Sequence, residues 1–178
     1  MLGLKRGEVF LCPHDISWEI QARETAKKLK SIMGDTAVGI QHVGSTAVKN
    51  IKAKPIIDIA VAATGLDDVL TLKNKLEQNG FYYRPGAGQP GQLLFACGSL
   101  YDGSGDLQTH FIHIMPAGSD RWKNYIAFRD CLNNTPALAK EYENLKIHLA
   151  ENLPADGGRR EYTATKAEFI SGVIKNAR

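Results

Sequence analysis

Disulfide bonds, cysteine metal clusters and membrane spans all lack material in this chain of 178 residues. Its three cysteines, Cys12, Cys97 and Cys131, are odd in number, widely spaced and never arranged as CxxC. That spacing supports neither a disulfide framework nor a zinc cluster. A dominant charge is missing too. The 22 basic and 19 acidic side chains leave a formal +3, too little to argue for nucleic acid. No apolar run approaches the roughly 20 residues of a membrane helix, and the opening MLGLKRGEVF has no signal-peptide core. Internal repeats and low-complexity stretches are absent. The expectation is a cytoplasmic protein without membrane association and without a strong nucleic-acid signal.

What is present reads as an ordinary globular chain, 43% hydrophobic and 23% charged, long enough for one domain spanning 1–178. SWEIQARETAKKLKSIM is an amphipathic helix with Ser17 as its cap and Gly34 as its stop. Residues 37–43 and 55–63 read as strands, the second opened by Pro55. LDDVLTLKNKLEQN follows as a helix closed by Gly80, and 84–91 is a loop. QLLFACGS and QTHFIHIM read as strands joined through YDGSGD. RWKNYIAFRDCL is a helix, Thr135-Pro136 caps and opens another, and a last helix runs from about Tyr162 to Asn176. ENLPADGGRR, 151–160, is the one linker candidate. The order predicts an α+β (mixed α/β) fold: a small mixed sheet flanked by helices, with a helical C-terminal part.

One polar residue interrupts the most apolar strand. In PIIDIAVAA, alternation puts Ile57, Ile59 and Val61 on one face and Ile56, Asp58 and Ala60 on the other. An unpaired buried carboxylate costs several kcal/mol, so Asp58 must meet a cation, a metal, hydrogen-bond donors or solvent in a cleft. A purely structural aspartate satisfies the same requirement. Upstream, Gly44 and Ser45 follow a strand, where free backbone N–H groups and a hydroxyl bind phosphate oxygens. Lys49, Lys52 and Lys54 add positive charge nearby. GxxxxGK[ST] is absent, so this is not a P-loop.

The order strand, Gly-Ser turn, short helical segment and strand with Asp resembles the polymerase-β-like nucleotidyltransferases. More closely, the chain resembles the GrpB family, itself similar to those enzymes. CPHDISW, HVGSTAV, AKPIIDI, THFIHIM, FRD and the K-x-x-F-I at Lys166 carry the match over most of the chain. The resemblance implies a nucleotidyltransferase-like fold. Gly44, Ser45, Lys54 and His42 then hold a nucleotide or phosphate, and Asp58 is the catalytic carboxylate and a ligand of Mg²⁺. His110, His113, Arg129 and Lys166 lie on matching segments and are additional site candidates. Fusion of GrpB-like domains to dephospho-coenzyme A kinase implies a coenzyme A-related or other phosphorylated ligand.

Two departures bear on activity. Two-metal phosphoryl transfer asks for several carboxylates, yet Ala60 holds the position that would supply the second. Lys49-Asn50 stands where the family more usually has Pro-Gly, which predicts a differently shaped turn. His110 and His113 are three apart, so a regular strand sends them to opposite faces, His113 with Phe111 and Met115. Asp102 and Asp106 could donate oxygens, though a solvated turn is the plainer reading. Three functions stay open: Mg²⁺-dependent nucleotidyl transfer, a non-catalytic module binding a nucleotide or phosphate ligand, and a hydrolase-like metal protein using Asp58 with His42, His110 or His113.

Overall fold

The computed structural model describes residues 2–152 and 159–176. In chain order the elements are β1 (Leu4–Lys5), α1 (Ser17–Met33), β2 (Ala37–Val43), β3 (Ile57–Ala63), α2 (Leu66–Thr71), α3 (Lys73–Gln78) and β4 (Tyr82–Tyr83). β5 (Leu93–Cys97), α4 (Ser99–Asp102), β6 (Leu107–Gln108), β7 (His110–Pro116), α5 (Asp120–Asn134), α6 (Pro136–Glu151) and α7 (Arg159–Asn176) follow. Five strands form one mixed sheet in the order β2-β3-β7-β5-β4. β3 and β7 run parallel in its centre, and every other pairing is antiparallel. β1 and β6 make a separate two-stranded piece.

Alternation along the central strands decides what each face buries. Ile57, Ile59 and Val61 of β3 join Ile112 and Ile114 of β7 and Phe95 of β5 against Trp18, Ala22, Leu29, Ile32 and Met33 of α1. On the opposite face Val43, Ala60 and Met115 are fully buried, with Trp122 and Tyr125 of α5 packed over them. Helices thus cover both faces, as a parallel pair in the middle of a sheet requires. A further apolar cluster joins Val48 and Ile51 to Phe128, Leu132, Ala139, Tyr142 and Val173, fixing the C-terminal helices beside the loop before β3. No helix among the described residues is long and apolar enough to cross a membrane.

Several boundaries differ from the expectation, each for a local reason. α1 is not capped by Ser17: Asp15 Oδ1 accepts the Ser17 N–H at 2.9 Å instead, and Gly34 closes the helix at φ 56°. The expected helix over 66–79 is two short ones. The Thr71 hydroxyl bonds the Asp68 carbonyl at 2.6 Å, and Leu72 N–H bonds Val69, a tighter turn that interrupts the α-helical ladder. Thr135 makes no side-chain cap on α6, which opens on Pro136 as expected. Ser119 does cap α5, accepting from the Trp122 N–H at 3.4 Å. The strand expected over 108–115 divides at Thr109 into β6 and β7. α7 begins at Arg159 rather than near Tyr162. The linker candidate at 151–160 lies mostly outside the described residues.

Candidate functional site

Asp58 is the second residue of β3, and its side chain keeps 30% of its surface exposed. Beside it β2 ends at Val43 and the backbone turns at Gly44, with φ 71° and ψ −169°. That region is essentially reserved for glycine. A Cβ on Gly44 would also meet Asp58 Oδ2 at 2.5 Å, so the turn is pressed against the carboxylate. Ser45–Ala47 then forms a 3₁₀ turn. Asn50 takes φ 61°, the left-handed conformation in which glycine is most at home and asparagine is tolerated.

Ser45 and Asp58 open into one cavity of about 170 Å³. Lys54, Ile56, Gln108 and Phe111 line it, and so do Lys5 and Glu8 from the N-terminal segment and Lys146 and Lys166 from α6 and α7. Four lysines therefore face two carboxylates, a lining biased toward anions. The Ser45 hydroxyl is 3.2 Å from the Tyr142 hydroxyl, which joins the turn to α6.

His113 stands behind Asp58. Its Nε2 is 3.0 Å from Asp58 Oδ1, and its Nδ1 is 2.6 Å from the Gln92 side-chain nitrogen. As placed, the Gln92 amide donates to Nδ1 and the ring's Nε2–H donates to the carboxylate. Tyr125 lies 5.3 Å from the His113 ring. Burial, with the Asp58 charge adding to it, pushes the Tyr125 hydroxyl up to about 12.

The remaining candidates are placed elsewhere. His110 points to the other face of β7, its Nε2 3.3 Å from the Thr25 hydroxyl of α1. His42 pairs across the ladder with Ile59 and so shares the face opposite Asp58; its Nε2 is 2.9 Å from the Thr46 hydroxyl. Burial lowers both imidazoles to about 4. Of the three histidines weighed as partners of Asp58, strand alternation turns His42 and His110 to the other face and leaves His113 beside it. Arg129 bonds the Gln41 side chain at 2.8 Å and the His42 carbonyl at 3.0 Å, holding α5 to β2. It also pairs with Asp130 at 2.8 Å. Lys49 and Lys52 do not line the cavity: their backbone N–H groups bond Asn133 and Glu143. Asp102 accepts from Ser104, and Asp106 pairs with Lys5 at 3.1 Å.

This donor set does not match the magnesium that the resemblance implies. Mg²⁺ asks for near-octahedral oxygen ligands. Asp58 has one oxygen engaged by His113, and Ala60 presents a buried methyl. No group of three His, Cys, Asp or Glu among the described residues is arranged to hold a metal.

Lys146 went unnoticed in the sequence, although a signal exists. Ala139, Tyr142, Glu143 and Lys146 are the buried residues of α6, at helical spacing, so a lysine and a glutamate occupy an inward stripe. Lys5 and Glu8 carry no comparable signal. Chain topology alone brings them in.

Comparison with known proteins agrees with this architecture. The GrpB family profile, described as GrpB protein, matches residues 8–176. The chain is 38% identical over 175 residues to the glutamate-rich protein GrpB of Alkalihalophilus pseudofirmus, covering 98% of both chains. It is 37% identical over 81 residues to the dephospho-CoA kinase of Mycobacterium tuberculosis, 44% of this chain and 20% of that one. Its fold superposes on the crystal structure of conserved protein GrpB from Enterococcus faecalis with a TM-score of 0.81 at 28% identity, covering 94% and 98% of the two chains. The Cid1 poly (U) polymerase shares the fold more distantly, with a TM-score of 0.54 at 14% identity over 80% of this chain and 45% of that one. With a profile match over nearly its whole length and a full-length relative at this identity, the chain belongs to the GrpB family.

Proposed function

We propose that this protein binds a phosphate-bearing small molecule of the nucleotide class in the cavity at the end of β3. One observation carries the reading: Ser45 of the turn, Lys54, Lys146 and Lys166 line a single opening together with Asp58. The turn offers a hydroxyl at the cavity wall, and the lysines supply countercharge to phosphoryl oxygens. At about 170 Å³ the cavity suits phosphoryl groups, with the rest of the ligand lying outside it. Poly(U) polymerase chemistry, coenzyme A context and nucleotide identity belong to the similar proteins, and for this chain they guide the choice of ligands to screen. Three cysteines outside any disulfide support a reducing, cytoplasmic setting.

A second reading, nucleotidyl transfer at Asp58, is kept because that carboxylate lines the same cavity as the phosphate turn. The donor set favours binding without a metal. Thermal shift with inorganic pyrophosphate, nucleoside triphosphates and coenzyme A precursors, with and without Mg²⁺, tests both. A ligand at a hundred times its dissociation constant adds about 2.7 kcal/mol. Stabilisation that needs no Mg²⁺ and is lost in Ser45→Ala or Lys54→Met supports the binding reading. Stabilisation that appears only with Mg²⁺ supports transfer, and none with any phosphate ligand overturns both.

A further inference from the structure

Lys146 differs from the other cations of the cavity. It is 1% exposed, its amine donates to the Lys52 carbonyl oxygen, and its Nζ lies 4.7 Å from the centre of the Tyr142 ring. A buried ammonium is costly unless a counterion meets it. Glu143, one turn back on α6, is engaged elsewhere: one oxygen accepts the Lys52 N–H at 2.6 Å, the other Lys140 Nζ at 2.5 Å. From α7, Lys166 faces the same opening, and its like charge opposes the ammonium. Among the described residues Lys146 forms no ion pair. The carbonyl and the ring are partners for an ammonium but not countercharges.

The cavity supplies what is missing. Lys146 reaches its wall, and Tyr142, whose ring lies beneath Lys146, also contacts Ser45 of the phosphate turn at 3.2 Å. An anion seated at Ser45 therefore shares the cavity with Lys146, with Tyr142 touching both residues. We infer that Lys146 is a proton-coupled anion-binding residue of this cavity, taking up a proton from solvent when a phosphoryl anion enters and releasing it when the anion leaves. The inference rests on the binding reading above. Bookkeeping is simple: one proton adds to the amine lone pair, no heavy-atom bond forms or breaks, and the ammonium pairs with the anion.

The electrostatics agree with the geometry. Burial, reinforced by Lys166 and opposed by Glu143, lowers the Lys146 amine to about 7. It is therefore partly deprotonated near neutrality in the empty cavity. The other charged groups of the surroundings are Lys54 and Asp58, and Lys5 and Glu8 from the N-terminal segment, which line the same cavity. Lys140 on its own helix pairs with Glu143. An entering anion favours the ammonium, so binding must consume protons above that midpoint and weaken as pH rises.

The test is calorimetric titration with trimetaphosphate, whose charges do not titrate near neutrality. It is run in buffers of different ionisation enthalpy on the full chain and on Lys146→Arg and Lys146→Met. For the native protein, uptake approaching one proton is expected above about pH 7, with affinity falling up to about tenfold per pH unit. Lys146→Arg, permanently charged, is expected to bind with neither proton uptake nor that pH dependence. Lys146→Met is expected to bind at least about tenfold more weakly and without uptake. Binding by the native protein with no proton uptake, or uptake that persists in Lys146→Arg, overturns the inference alone. Failure of trimetaphosphate to bind at any pH overturns the inference, and the ligand screen above decides the binding reading separately. If Lys146→Met does not fold, the arginine variant decides.

Discussion

Asp58 is tolerated inside an apolar strand because it has both a donor and a view of solvent. His113 supplies the first, and the cavity supplies the second. Its charge also separates the two readings of the site. Asp58→Asn is nearly isosteric and removes the charge that would hold a divalent cation. For a site that binds anions directly, the change is expected to leave phosphate affinity unchanged or raise it, since repulsion at about 4 Å is worth roughly 1 kcal/mol in water. Loss of a Mg²⁺-dependent titration in the variant is the result that would restore transfer. His42 and His110 make a second prediction. Both are held near 4 by burial, below the 6.5 of an unfolded imidazole. The unfolded chain therefore binds more protons between those values, and stability falls as pH drops from about 6.5 to about 4. Each costs the folded state of order 3 kcal/mol once the pH is below about 4. Urea unfolding across that range should show the slope, and His110→Gln should reduce it by about half.

At the level of elements, the turn after β2 and the staple under α5 do different work. Gly44 occupies a conformation closed to other residues and leaves no room for a Cβ beside Asp58. Gly44→Ala is expected to cost on the order of 1–3 kcal/mol from the backbone alone, and to weaken phosphate binding by displacing Ser45 or Asp58. Arg129, in contrast, fastens α5 to the edge strand β2 through the Gln41 side chain and the His42 carbonyl. Arg129→Met should lose about 1.5–3 kcal/mol of stability, the usual worth of hydrogen bonds to a charged group. Its affinity for phosphate should stay as it was, because Arg129 is not part of the cavity wall. Denaturation and titration of the two variants side by side would separate a site defect from a packing defect.

For the whole molecule, the buried Lys146 and the half-buried Cys97 and Tyr125 shape stability above neutrality. Lys146 is lowered to about 7 from 10.5, so the unfolded chain binds more protons than the folded one above that value. Stability is therefore expected to rise with pH from about 7. Cys97 and Tyr125 act in the opposite sense, because burial raises both to about 12. Unfolding then releases their protons above about 9 and 10, and stability declines. A maximum in alkaline solution is the expected profile. Lys146→Met should flatten its rising limb and leave the decline in place, read as denaturation midpoints across the range. No rising limb in the native protein would show that Lys146 keeps its proton in the empty cavity.

Local physics made much of this legible in the chain. Period-two alternation by itself separates Asp58 from Ile57, Ile59 and Val61, and His113 from His110. The Gly-Ser turn, the long helices and the mixed α+β order followed from spacing, glycine and proline chemistry. Convergence is another matter. His113 reaches Asp58 because β3 and β7 pair in parallel with Asp58 opposite Phe111, a register no local pattern encodes. His42 lies only two residues before Gly44, yet the antiparallel ladder turns it to the far face. Lys5 and Lys146 meet in one cavity from opposite ends of the chain. Periodicity tells which side of its own element a residue occupies, whereas a site is made where several elements cross. That crossing is set by how the whole core closes.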